Sequence, residues 1–246
     1  MPRAFRFERA RVRKLWFPVL LGVVGVAILC GLGAWQVQRL GQKSAQIAAI
    51  EARIGAAPVE LPATPEVDSD QYLPVRVTGA LEGEEAPVLT SIQGDGPGYR
   101  VVSAMVTGDR RILVDLGFVP EAAKPMSRTA GRVTVTGNLL WPQETDSWTP
   151  APDQERNIWF ARDLSAMSER LGTEPLLVVA RSIEGADLGT IPLPVDTAGI
   201  PNDHLNYAIT WFGLALVWAF MSVALVTRVG RARTDSRPES PGPMTD

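Results

Sequence analysis

One cysteine, one histidine and three tyrosines are all that 246 residues hold of those types. A single cysteine excludes an intramolecular disulfide. One histidine and one cysteine also exclude most transition-metal sites built from protein alone, which need three or four such ligands. No CxxC or CxxxC occurs, and Met105, Met126 and Met167 are scattered, which argues against a copper chaperone or a thiol oxidoreductase. There is no GxSxG, Walker loop, HExxH or glycine-rich dinucleotide fingerprint. Gly94-Asp95-Gly96-Pro97-Gly98 has the glycines of a phosphate cradle, but Pro97 and its flanks make it a hairpin turn. A Ser-His-Asp triad needs its histidine beside a serine, whereas His204 stands at the edge of a long apolar run. The chain is therefore read as a binding or assembly protein, not an enzyme.

Charge is missing from two stretches. None falls between Lys14 and Arg39, around the apolar run from Trp16 to Gln36, and none between Asp203 and Arg228, around Leu205 to Thr227. Each run exceeds the roughly 20 residues needed to cross a bilayer core. Mean hydropathy over the whole chain is only +0.05, too polar for a multi-span transporter. The first run is longer than the roughly 7–15 apolar residues of a signal peptide, although Gly31-Leu32-Gly33 would be a tolerable cleavage triplet. Leu29 is bulky where a lipoprotein site wants a small residue, so Cys30 is read as an embedded packing residue.

Basic residues flank both runs on their outer ends: Arg3, Arg6, Arg9, Arg11, Arg13 and Lys14 before the first, Arg228, Arg231, Arg233 and Arg237 after the second. The positive-inside rule then puts both termini in the cytoplasm and the middle of the chain across the membrane. That middle, Val37 to His204, holds 14 Lys and Arg against 23 Asp and Glu. So acidic a domain argues against nucleic acid as a partner.

The order along the chain is then a basic arm (1–14), a first transmembrane helix (15–36), a helical extension (37–55), an extracytoplasmic β-rich domain (56–203), a second transmembrane helix (204–227) and a cytoplasmic tail (228–246) whose residues 234–246 read as disordered. Val37, Leu40, Ser44, Ile47 and Ile54 recur at helical steps and support the extension, which should end near Gly55. Residues 55–71, rich in Pro, Glu and Asp, read as a linker. Ala27 and Gly31 have the small-xxx-small spacing that admits a close helix neighbour, and Ala215 and Ala219 offer the same spacing in the second run.

Strands are predicted at 73–79, 101–107, 112–119, 133–139 and 176–180, and Gly94–Gly98 and Thr107–Asp109 read as turns. One helix is predicted over 164–171, with Asp163 as its N-cap and Gly172 at its end. The fold class is membrane α+β: two transmembrane helices flanking a β-rich α+β extracytoplasmic domain with a partly closed antiparallel sheet.

The stretch Asn202 to Phe212 is the strongest candidate for a site. His204, Tyr207, Trp211 and Trp218 share one helix face. A histidine above aromatic and small side chains suits a flat macrocycle, with the imidazole as axial iron ligand. The same residues also make an ordinary aromatic belt at a span end, and spacing alone favours the belt. Antiparallel spans would bring Trp35 near the depth of His204, with Arg39 about 6 Å further out. Arg39 and Lys43 then have two uses, pairing with carboxylates of a bound porphyrin or snorkelling to lipid headgroups, and snorkelling is the default.

Two motifs now enter. Gly33, Trp35, Gln36 and Arg39 match GxWQxxR, and Asn202, His204, Tyr207, Ala208, Thr210, Trp211 and Phe212 match NxHxxYAxTWF. Gly98–Val102 and Leu113–Pro120 look like segments of the same family. With them the chain resembles the Surfeit-locus family of cytochrome c oxidase assembly factors, in a bacterial-type form, over nearly its full length. Asp115, Leu116, Phe118 and Asp203 depart from the family's usual residues. The resemblance implies an inner (plasma) membrane protein that binds haem a and assists its insertion into oxidase subunit I. Its implied partners are that subunit, the haem a synthesis machinery and membrane lipid. It also implies that neutral His204 ligates the haem iron, that Tyr207 and Trp211 line the site, that Trp35 and Arg39 contribute, and that Gly117 is functionally linked. Two other readings stay open. One is a membrane chaperone that holds an oxidase intermediate without haem, and the other is a tethered sensor or hydrolase domain.

Overall fold

A computed structural model describes residues 4–124 and 127–231. Arg3, Met126, Arg233, Arg237 and the tail expected at 234–246 lie outside the described residues. The chain divides into two compact units, Met1–Gln46 with Ile200–Asp246, and Ile47–Gly199.

The first unit is built on two helices long and apolar enough to cross a membrane. Helix α1 spans Ala4–Ile54 without a break, from the basic arm through the first apolar run to residue 54. Gly55 closes it, donating its N–H to the Glu51 carbonyl. The last helix, α4, spans His204–Arg231.

The second unit is a β-barrel. Its strands are β1 (Val59–Glu60), β2 (Pro74–Ile92), β3 (Gly96–Thr107), β4 (Arg110–Pro120), β5 (Thr129–Leu140) and β6 (Leu177–Glu184). The order is β1-β2-β3-β4-β6-β5, and β5 pairs back onto β2, which closes the sheet. Two helices accompany it, α2 (Val67–Asp70) and α3 (Leu164–Leu171).

The predicted helix at 164–171 is present with its caps. The Asp163 side chain accepts from the Ala166 N–H, and Gly172 ends the helix in a left-handed conformation at φ 62°. Three expectations need correction. The sheet is closed and mixed, because β1 runs parallel to β2 and β4 parallel to β6. The expected linker at 55–71 contains β1 and α2, since Val59 and Glu60 pair with Val75 and Arg76. Strand β2 also continues beyond Gly79 as far as Ile92, and β3 begins inside the expected turn, with Pro97 opposite Ser91. Alternation is lost at Glu82–Glu85 because a bulge between Leu81 and Glu85 shifts the register there, which makes one long strand look like a short one.

Strand β4 organises the core. Its run Ile112–Val119, apolar except for Asp115, is buried throughout, as expected of a strand covered on both faces. Ile112, Val114, Leu116 and Val119 point into one cluster with Val75, Met105 and Val135. Leu113 belongs to a second cluster outside the sheet, with Met167 and Leu171 of α3, Trp159 and Leu177. Each large side chain buried in this way contributes about 2–3 kcal/mol.

Candidate functional site

The two long helices meet through glycines. A Cβ on Gly25 would lie 2.1 Å from the Trp218 indole nitrogen, one on Gly33 2.8 Å from the Phe212 ring, and one on Gly22 2.8 Å from Ser222. As α1 positions rise, their α4 neighbours fall, so the pair is antiparallel. Opposite the glycines, Ala208 and Ala215 are buried. The expected Ala27–Gly31 contact is not made, because nothing lies within 4 Å of a Cβ on Gly31. Ala27 stands about 140° around the helix from Gly22, off the facing stripe.

This pairing brings Gln36 opposite His204. Gln36 lies one turn beyond Gly33 on the same stripe and is only 8% exposed. Its Oε1 is 2.7 Å from Nδ1 of His204, the first residue of α4. Next to it, the Asn202 side-chain N–H donates to the Ser44 hydroxyl at 3.3 Å. Among the described residues, Gln36 is the one hydrogen-bond partner of the His204 ring. His204 itself is half-buried.

The other predicted site residues sit around this contact, not in it. Trp35 is 54% and Tyr207 56% exposed, whereas Trp211 is half-buried. Arg39 is exposed and donates to Gln42 at 3.0 Å on its own helix. Sequence reasoning placed the first helix's contribution at Trp35 and Arg39 and missed Gln36 as the partner. The available signal was its place in the GxWQxxR motif, three residues after Gly33 and four before the half-buried Leu40.

No group of three or more His, Cys, Asp or Glu side chains able to hold a metal ion occurs among the described residues. His204 therefore offers a single nitrogen. That donor set suits a metal whose remaining positions are filled by a macrocycle, and it is too small for a bare ion.

A second polar centre lies in the barrel unit. Asp115 on β4 is fully buried and accepts from Arg100 Nε, from an Arg162 terminal nitrogen at 3.1 Å and from the Gly117 N–H at 3.1 Å. Arg162 also grips Glu144, with Nε 3.1 Å from one carboxylate oxygen and 3.2 Å from the other. Arg100 reaches on to the Leu193 carbonyl. Arg100, Arg162 and Glu144 line a polar cavity of about 630 Å3 together with Gln71, Tyr72 and Trp141. This network was not expected from the sequence, because its members come from four separate segments.

Burial opposes ionisation of Glu144, but the Arg162 hydrogen bonds and charge outweigh it and hold the carboxyl below the ordinary glutamate range. A carboxyl that ionises more readily folded than unfolded stabilises above its unfolded pKa and loses that contribution as pH falls through the folded one. The melting temperature should therefore fall on acidification through and below the ordinary glutamate range, and Glu144→Gln should flatten that part of the profile. An unchanged slope in the variant would refute the assignment. Glu85 acts in the opposite sense. Its burial outweighs the pull of Arg128 and raises its pKa, so acidification relieves it.

A closed barrel joined to two long apolar helices, with one imidazole at the head of the second, defines a membrane α+β protein with a single-nitrogen site. The chain belongs to the SURF1 family, whose model matches residues 23–216. It is 31% identical to Surfeit locus protein 1 of Rattus norvegicus over 84% of this chain and 73% of the relative. It is 32% identical to Surfeit locus protein 1 of Homo sapiens over 78% and 71%, respectively. A SURF1-like protein of the bacterium Rickettsia felis is 31% identical over 80% of this chain and 91% of the relative.

Proposed function

We propose that this protein is an assembly factor for haem-copper cytochrome c oxidase that binds haem a through His204 and assists its insertion into subunit I. The observation that carries the reading is the 2.7 Å contact between His204 Nδ1 and Gln36, which orients the ring and leaves Nε2 for a ligand. Bound haem supplies its own four equatorial nitrogens and needs one axial base. Exposed Tyr207 and Trp35 and half-buried Trp211 lie near His204 in sequence or in the facing motif and offer aromatic surface to such a group. The basic flanks put both termini in the cytoplasm and the barrel in the periplasm of a bacterial inner membrane. The partners are oxidase subunit I, the machinery that makes haem a, and membrane lipid, and the role is not catalytic.

Purified from cells that synthesise haem a, the protein should carry haem in a stoichiometry readable from its absorption spectrum. His204→Ala should lose it. Retention of the same spectrum and stoichiometry by the variant would end the ligand assignment. A second reading draws on the open surface around Gly31 and Gly41, where nothing lies within 4 Å of an added Cβ. There the protein is a chaperone that holds an oxidase intermediate by close helix contact without haem. Haem-free protein that still captures subunit I would favour it.

A further inference from the structure

We propose that Gln36 is a positioning residue that fixes His204 as the Nδ1–H tautomer, so that Nε2 becomes the single ligating nitrogen of the site. The ligation half of this statement rests on the reading above, and the tautomer half stands without it.

The argument starts from the buried amide. Gln36 lies 8% exposed in the seam of two helices held together by Gly22, Gly25 and Gly33. A side-chain carbonyl left unpaired there would lose its hydration with nothing in return. The single acceptor contact made by its Oε1 is the 2.7 Å approach to His204 Nδ1. A carbonyl oxygen accepts and cannot donate, so Nδ1 carries the proton. Neutral imidazole has one N–H and one lone pair, and the lone pair is then on Nε2. Neutral histidine in water favours the other tautomer, so Gln36 changes the ring's state as well as its orientation.

The backbone supports the same geometry. His204 is the first residue of α4, so its imidazole reaches α1 across the end of the seam. Ala208, one turn further in, is 2% exposed and holds α4 against α1. The ring therefore has its Nδ1 edge tied to α1 and its Nε2 edge turned away from that bond. Ligating histidines are commonly fixed in this way, by donating the second ring N–H to an oxygen, and loss of such a partner typically weakens metal binding 10–100-fold. Trp35 and Arg39 flank Gln36 on α1, yet neither is bonded to the ring. The GxWQxxR motif thus holds its positioning group at Gln36.

His204 is the sole histidine, so 15N-histidine labelling of the full-length protein gives two ring nitrogens and no overlap. In detergent-solubilised, haem-free protein at alkaline pH, Nδ1 should resonate as a protonated nitrogen and Nε2 as an unprotonated one. Gln36→Leu should shift the population toward the Nε2–H form, and Gln36→Glu, which keeps an acceptor oxygen, should retain Nδ1–H. A merely structural role for Gln36 would not produce that split between the two variants. Haem affinity, measured by titration of each variant, should fall about 10–100-fold in Gln36→Leu and recover in Gln36→Glu. A wild-type ring in the Nε2–H form, or an unchanged tautomer in Gln36→Leu, overturns the proposal. A tautomer change with unchanged haem affinity overturns its ligation half. If His204→Ala keeps its haem while the tautomer results come out as expected, the haem reading fails and the positioning of His204 by Gln36 stands.

Discussion

Replacing Gly117 should strongly destabilise the barrel unit. Gly117 has φ at +104°, a backbone conformation that costs an L-residue about 1–3 kcal/mol before any contact is counted. An added Cβ would lie 2.2 Å from the Ile191 carbonyl oxygen and 2.7 Å from the Pro192 Cα. Both are backbone atoms and cannot rotate away. Phe118 and Ile191 exchange N–H···O bonds at 2.7 and 2.8 Å across this point, so relief would break a bridge worth about 1 kcal/mol per bond. Gly117 also donates its N–H to Asp115, which ties the local conformation to the buried ion network. Gly117→Ala should cost more than about 3 kcal/mol, and Gly117→Glu should leave no cooperative melt by near-ultraviolet circular dichroism. The control is Gly108→Ala. Gly108 also has positive φ, at +57°, but nothing lies within 4 Å of its Cβ position, so the cost should be about 1–2 kcal/mol. Equal melting curves for the two alanine variants would refute the steric argument.

Removing the Asp115 carboxylate should be nearly as damaging. Asp115→Ala leaves the Arg100 and Arg162 guanidinium groups facing a void where they met a fully buried charge. Breaking one side of a buried ion pair costs about 3–5 kcal/mol, and the cost here should lie toward the lower end because Arg162 keeps Glu144 while Arg100 keeps only the Leu193 carbonyl. Asp115→Asn keeps the shape and one acceptor oxygen, so it should fall between wild type and alanine. The comparison is Glu174→Ala at the Arg110–Glu174 pair, where the carboxylate side chain is 41% exposed. That change should cost under about 1 kcal/mol, since water solvates the freed arginine. Chemical denaturation of all three variants would decide it. An Asp115→Ala cost no larger than that of Glu174→Ala would show that the network is solvated.

The two effects belong to one local design. Asp115 and Gly117 sit on β4, which is covered on both faces. A polar group there had to bring partners from β3, from the segment before α3 and from the backbone itself.

Hydrophobic period and charge flanks made the two long helices legible, since both signals are local. The same holds for α3, whose Asp163 and Gly172 caps act within one turn of the helix they end. Strand β2 was legible only in its first part, because the bulge at Leu81–Glu85 is decided by pairing with β3. The network around Asp115 was invisible for a similar reason. Its four side chains lie up to 62 positions apart and meet only when β4 and β3 pair and the loops close over them.

The sequence by itself determined that His204 is alone, that it stands at the edge of an apolar run, and that a second motif, GxWQxxR, closes the other run. Periodicity says which residues can share a helix face, and composition says which chemistry is possible. Neither says how two helices are rotated against each other. That rotation was decided by the tertiary fit of Gly22, Gly25 and Gly33 against Ser222, Trp218 and Phe212, which allow closer approach than Ala27 and Gly31 could specify from spacing. The same fit turned Gln36, and not Trp35 or Arg39, toward the imidazole.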